Sequence, residues 1–121
     1  MDTFVIDGNN FSTYKELCNE FNQVVFKGFY NQWHGSLDAF NDLLRDVYGI
    51  ILWKNFSKSK KDLSYLETVK ILEERLEYCH PSNRSIVREE LTQARSGKGP
   101  TILDWVLEII AEQDIEVVIF E

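Results

Sequence analysis

Residues 33–53 read WHGSLDAFNDLLRDVYGIILW, and the change of period within this stretch decides the fold. Trp33 to Gly35 suit a loop, and Ser36 is placed as an N-cap. Leu37, Phe40, Leu43, Leu44 and Val47 then recur along one side of a helix. Gly49 breaks that pattern. Ile50 to Trp53 follow as an unbroken apolar run, as expected of a strand covered on both faces. On the polar side of the helix, Asp38 and Asp42 stand four residues apart, so their carboxylates project from one face, one turn above the other. Like charges at that spacing cost a helix roughly 0.2–0.5 kcal/mol, offset by the helix dipole at Asp38 and by screening of Asp42 from Arg45.

Outward from this centre, Thr3 to Ile6 form a short strand closed by the turn residues Asp7-Gly8-Asn9-Asn10. Thr13 and Glu16 have capping-box spacing, and Tyr14, Leu17, Cys18 and Phe21 repeat as one face of a first helix. Lys27 to Gly35 is loop. Beyond the second strand, Lys54 to Lys61 reads as a polar, solvated connector. Tyr65, Val69, Leu72, Leu76 and Cys79 then mark a helix of about four turns, ended by His80-Pro81. A shorter helix carries Ile86, Val87, Leu91 and Ala94, and residues 96–100 form a link. Thr101 and Asp104 repeat the capping-box spacing before a last helix lined by Ile102, Val106, Ile109 and Ile110, which gives way to a strand over Ile115 to Phe120. Three short apolar strands separated by helical segments imply crossover connections. The expected class is α/β, a small three-stranded parallel sheet packed with helices, in one domain spanning residues 1–121.

Charge narrows the range of partners. The chain of 121 residues carries a net charge of -7, and the acidity lies at its ends. Residues 1–52 and 101–121 hold 13 acidic against 3 basic residues, whereas residues 53–100 hold 7 acidic against 10 basic. If the ends share a face, that face repels nucleic acid and attracts a basic protein. Met1 is followed by Asp2 and a strand-like run, with no basic leader and no apolar stretch of the roughly 20 residues that span a bilayer. A cytoplasmic protein without membrane attachment is expected. Cys18 and Cys79 fall on apolar helical phases, as small buried hydrophobes do, so neither a disulfide nor a metal site is expected.

Together the runs FVIDGNNF (4–11), GSLDAFNDLL (35–44), IILWKNFSKSK (50–60) and DIEVVIF (114–120) resemble the barstar family of ribonuclease inhibitors. The likeness covers about residues 3–60 and 101–120, with the motifs in the family's order. It implies a barstar-like fold and an inhibitor that lays an acidic helix and the loop before it across a nuclease active site. In that role it would be an immunity protein against a cognate toxin nuclease, in contact-dependent competition or in self-protection from a secreted ribonuclease. The partner would be a basic nuclease bound 1:1 by a monomer, with no cofactor.

By the same resemblance, Asp38 and Asp42 match the motif aspartates that meet basic active-site residues, and Asp42 takes the position of a substrate phosphate. Nuclease sites hold converging cations that favour any well-placed anion. Trp33 matches the loop aromatics that stack in a base pocket, Ser36 falls where the family often has Asn, and Glu108 lies near an additional contact. Asn41 departs from the pattern, because a large aromatic commonly separates the acids. Gln32 and His34 also replace typical loop residues. Residues 63–99 have no counterpart and read as an insertion of one or two helices that covers the sheet, the alternative being a secondary contact with an enlarged partner or a self-association surface.

Catalytic readings are weaker. Cys79-His80 lacks an orienting third group, and Asp38 with Asp42 on an exposed helix face has no pocket to separate two pKa values. Gly97-Lys98-Gly99 lacks the spacing and the following Ser or Thr of a phosphate-binding loop. The protein is not expected to be an enzyme. The competing function is a non-inhibitory interaction module that binds another basic protein through the same acidic face.

Overall fold

The computed structural model describes residues 2–121. In chain order the elements are β1 (Asp2–Asp7), α1 (Tyr14–Val24), α2 (Leu37–Leu44), β2 (Gly49–Lys54), α3 (Phe56–Asp62), α4 (Tyr65–Tyr78), α5 (Arg84–Arg95), α6 (Ile102–Ala111) and β3 (Ile115–Ile119), with 3-10 turns at Gly8–Asn10 and Pro81–Asn83. The strands form one parallel sheet in the order β1-β2-β3. The class is α/β, as expected. Both capping boxes form: Thr13 with Glu16 opens α1, and Thr101 with Asp104 opens α6. Ser36 caps α2 by accepting from the Ala39 N–H.

Register fixes which side chains meet. Phe4 pairs with Ile51 and Ile51 with Val117, while Ile6 pairs with Trp53, and this row points into the core. Ile6, Ile51 and Trp53 are fully buried against Leu17 and Phe21 of α1, Phe40 and Leu44 of α2, and Val106 and Ile110 of α6. The alternate row, Val5 with Leu52 and Val118, faces the other way and joins neither core cluster. Val5 is 40% exposed. The expectation that the Ile50–Trp53 run is covered on both faces is therefore corrected: the helices lie on one side, and period-2 alternation leaves Ile50 and Leu52 half-buried on the open side. Gly49 enters β2 at φ +151°, where a Cβ would lie 2.1 Å from the Asp2 carbonyl oxygen. No other residue lets β1 and β2 approach this closely.

The polar connector over Lys54 to Lys61 is also corrected. Its centre is α3, whose Phe56 and Ser59, with Leu63 just past its end, recur at helical spacing and are buried among the lysines. Phe56 packs edge-on to Trp53, and the Trp53 indole N–H donates to Ser59 Oγ at 3.0 Å. Lys58 is not solvated loop: its ammonium donates to the carbonyls of Gly8 and Phe11 and pairs with Asp62 at 2.6 Å. It thereby holds the turn after β1 against α3.

The insertion is a helical hairpin of α4 and α5 with its own small core of Leu72, Val87, Leu91 and Ala94. It docks on the helical layer instead of covering the open side of the sheet. Trp105 of α6 packs against both cores, Ile102 N–H donates to Thr68 Oγ1 at 2.9 Å, and Tyr14 N–H donates to Glu67 Oε2 at 2.6 Å. Among the described residues no helix is long and apolar enough to cross a membrane.

Candidate functional site

The amphipathic reading of α2 sorts its residues as expected. Phe40 and Leu44 are buried, whereas Asp38, Asp42 and Arg45 are exposed. Arg45 meets Asp42 at 3.5 Å, with both side chains about two-thirds exposed (67% and 68%). A pair this open contributes on the order of 0–0.5 kcal/mol and leaves the carboxylate available to a partner. Asp46 is exposed too, but it lies in the turn after α2 ends at Leu44. The four-residue spacing of Asp38 and Asp42 was legible in the sequence.

Asn41 is half-buried, and its side-chain carbonyl accepts from Gln113 Nε2 at 2.6 Å, joining α2 to the segment that follows α6. Where the resemblance leads one to expect an aromatic between the acids, this chain has a cross-link between neighbouring elements. Glu108 is exposed on α6, which packs beside α2.

Trp33 requires a correction. Its ring is fully buried, stacked on Phe40 at 4.1 Å and edge-on to Phe21 and Tyr14 at 5.6 Å each. The indole N–H donates to the Ser36 carbonyl at 2.9 Å, and the Asn22 side chain accepts from the Trp33 N–H and donates to its carbonyl, both at 2.8 Å. Every polar atom on this residue that burial would otherwise strand has a partner, so a stack in a partner's base pocket would require the core to open. Trp33 positions the loop; it does not reach out from it. The aromatic that the same loop exposes is Tyr30, at 99%. A sequence rich in aromatics over residues 26–33 gives no local sign of which ring turns inward.

His34, Ser36 and Asp38 share one wall of a groove of about 1030 Å³. Tyr14, Lys15 and Cys18 of α1 contribute a second side, and Lys70, Glu74, Arg75 and Tyr78 of α4 a third. Tyr14 ties the three together, since its backbone N–H donates to Glu67 of α4 and its hydroxyl donates to the Gly35 carbonyl at 2.6 Å. Burial pushes the Tyr14 phenol above its ordinary range and raises the Cys18 thiol to about 12, so neither group ionises near neutral pH. The α4 contribution was missed by sequence reasoning. Its signal is a second stripe, Glu67, Lys70, Ile71, Glu74, Arg75 and Tyr78, running beside the apolar one at helical spacing.

Among the described residues no group of three or more His, Cys, Asp or Glu side chains is placed to hold a metal ion. No protein-family model matches the sequence, and no curated protein matches it.

Proposed function

We propose that this protein is a barstar-like inhibitor of a basic nuclease, an immunity protein of the cytoplasm whose α2 helix and preceding loop cover the nuclease active site. The observation that carries this reading is the row of exposed carboxylates on α2, Asp38 and Asp42, mounted on a helix whose opposite face is locked in the core. The resemblance of residues 35–44 to the family's inhibitory helix assigns the row its role. A carboxylate fixed in this way can enter a cluster of cations without first ordering its backbone, so little of the gained interaction is lost to conformational entropy. Tyr30 is the loop aromatic available to the partner, with Trp33 fixing the loop beneath it.

The test is inhibition of RNA or DNA hydrolysis by a purified basic nuclease, taken from the gene immediately upstream of this chain's if that gene encodes one. The wild type should abolish hydrolysis at a 1:1 ratio, and Asp42→Ala should weaken binding by on the order of 2–5 kcal/mol, because the cations it meets would be left buried and unpaired. Asp38→Ala should cost less. Association should slow steeply with added salt, as expected when opposite charges steer the encounter. Full affinity with Asp42→Ala would reject the active-site plug, and a tight complex that leaves hydrolysis intact would make the protein a non-inhibitory binding module.

A further inference from the structure

On the side of the sheet that no helix covers, the strand register lays out an apolar patch with a charge at each end. Successive rows across β1, β2 and β3 read Thr3-Ile50-Glu116 and Val5-Leu52-Val118. A third row runs from Asp7 and Lys54 to Phe120, whose N–H donates to the Trp53 carbonyl one step beyond the last ladder pair. Val5 is 40% exposed and Phe120 47%, while Ile50, Leu52 and Val118 are half-buried. None of these five packs against either core cluster. Parallel sheets are ordinarily covered on both faces, so an apolar centre left open in this one marks an interaction surface. Its charges select the occupant. Lys54 and Glu116 are exposed and make no ion pair among the described residues, whereas the Asp7 carboxylate is engaged by the Asn9 N–H and the Asn55 side chain. One free base and one free acid give the patch no sign that would draw the basic partner of α2, but they make it complementary to itself.

We propose that this face joins two copies of the chain, packed sheet to sheet about a two-fold axis that crosses the strands at the Val5-Leu52-Val118 row. Each strand then lies antiparallel on its own counterpart, as in aligned sheet packing. Leu52 meets Leu52 of the second copy, and Lys54 of each copy comes to the end where the other carries Glu116. A two-fold axis along β2 would instead set Lys54 on Lys54, and like charges oppose it. Because α2 lies on the covered side of the sheet, both copies keep Asp38 and Asp42 free. The inference is thus independent of the inhibitor reading, under which each copy would bind one nuclease.

Sedimentation equilibrium of the full chain, from micromolar to near-millimolar concentration, tests the proposal. The wild type should move from the 14.2 kDa mass of one chain to twice that value. Val5→Glu, on an edge strand, should raise the dimer dissociation constant about tenfold or more by burying an unpaired charge, and thermal unfolding checks its fold. Lys54→Glu and Glu116→Lys should each raise it about tenfold, and the two swaps together should return it to within about threefold of wild type. Should Val5→Glu unfold, the charge swaps decide alone. A wild type of single-chain mass throughout overturns the proposal, and lost affinity of Val5→Glu for a basic nuclease would then assign the face to that partner. A dimer indifferent to Val5→Glu and to both single swaps lies elsewhere and overturns it too. A double swap that stays weak rejects the antiparallel seating.

Discussion

Helices α2 and α4 border the same groove but lean on the main core to different extents. Phe40 and Leu44 seat α2 among Trp33, Phe21 and Ile51 in the main core, beside the central strand. Leu72 seats α4 in the small cluster shared with α5, while its neighbour Ile71 packs against the main core and Trp105 and a few hydrogen bonds complete the joint. Carboxylates on α2 therefore stand on the main core, whereas the α4 wall stands largely on the smaller one. Local stability follows the amount of apolar surface each segment buries.

The sharpest way to break this comparison is at Trp33. Trp33→Ala should cost about 3–5 kcal/mol of stability, as expected when a large buried aromatic is deleted. Chemical denaturation measures it, and a stable variant with normal unfolding would place the ring outside the core. Leu72→Ala should cost about 2–5 kcal/mol within the hairpin. Hydrogen exchange should then accelerate over residues 65–95 while β2 remains protected. Uniform acceleration would merge the two cores into one cooperative unit.

Smaller effects refine the picture. Lys58→Ala removes the donor that satisfies the Gly8 and Phe11 carbonyls and should cost about 1 kcal/mol, since the ammonium is partly open to water. The Asp7 carboxyl is held below its ordinary range by the Asn9 N–H and the Asn55 side chain, and Glu16 is lowered likewise, chiefly by the Ser12 N–H. For a lowered carboxylate, the stabilisation is complete above the unfolded-state pKa near 4 and is lost as pH falls through the folded value. The difference in urea midpoint between wild type and Asp7→Ala should thus be present at pH 7 and shrink below pH 4. A difference that persists in acid would remove the charge from this account. At the low end, Asp38→Ala should change stability by no more than about 0.5 kcal/mol, because the side chain is exposed and its removal relieves like-charge proximity.

Much of this was legible in the residues. Thr13 with Glu16 and Thr101 with Asp104 marked two helix starts, His80-Pro81 marked an end, and the apolar runs marked three strands. These features act over a few neighbouring residues, so local chemistry suffices to read them. Lys58 misled because a lysine between lysines looks solvated, although Phe56, Ser59 and Leu63 already carried a helical stripe beneath it.

By itself the sequence determined the elements apart from α3, the α/β class and the side of α2 on which Asp38 and Asp42 stand, because periodicity assigns each residue to a face. Tertiary structure alone decided what each face meets. It turned Trp33 inward and Tyr30 outward, left one side of the sheet open, and set Lys70 and Arg75 across a groove from Asp38. The physical reason is that burial and groove geometry depend on segments distant in the chain, here Asn22 against Trp33 and Glu67 against Tyr14, whose meeting no local pattern encodes.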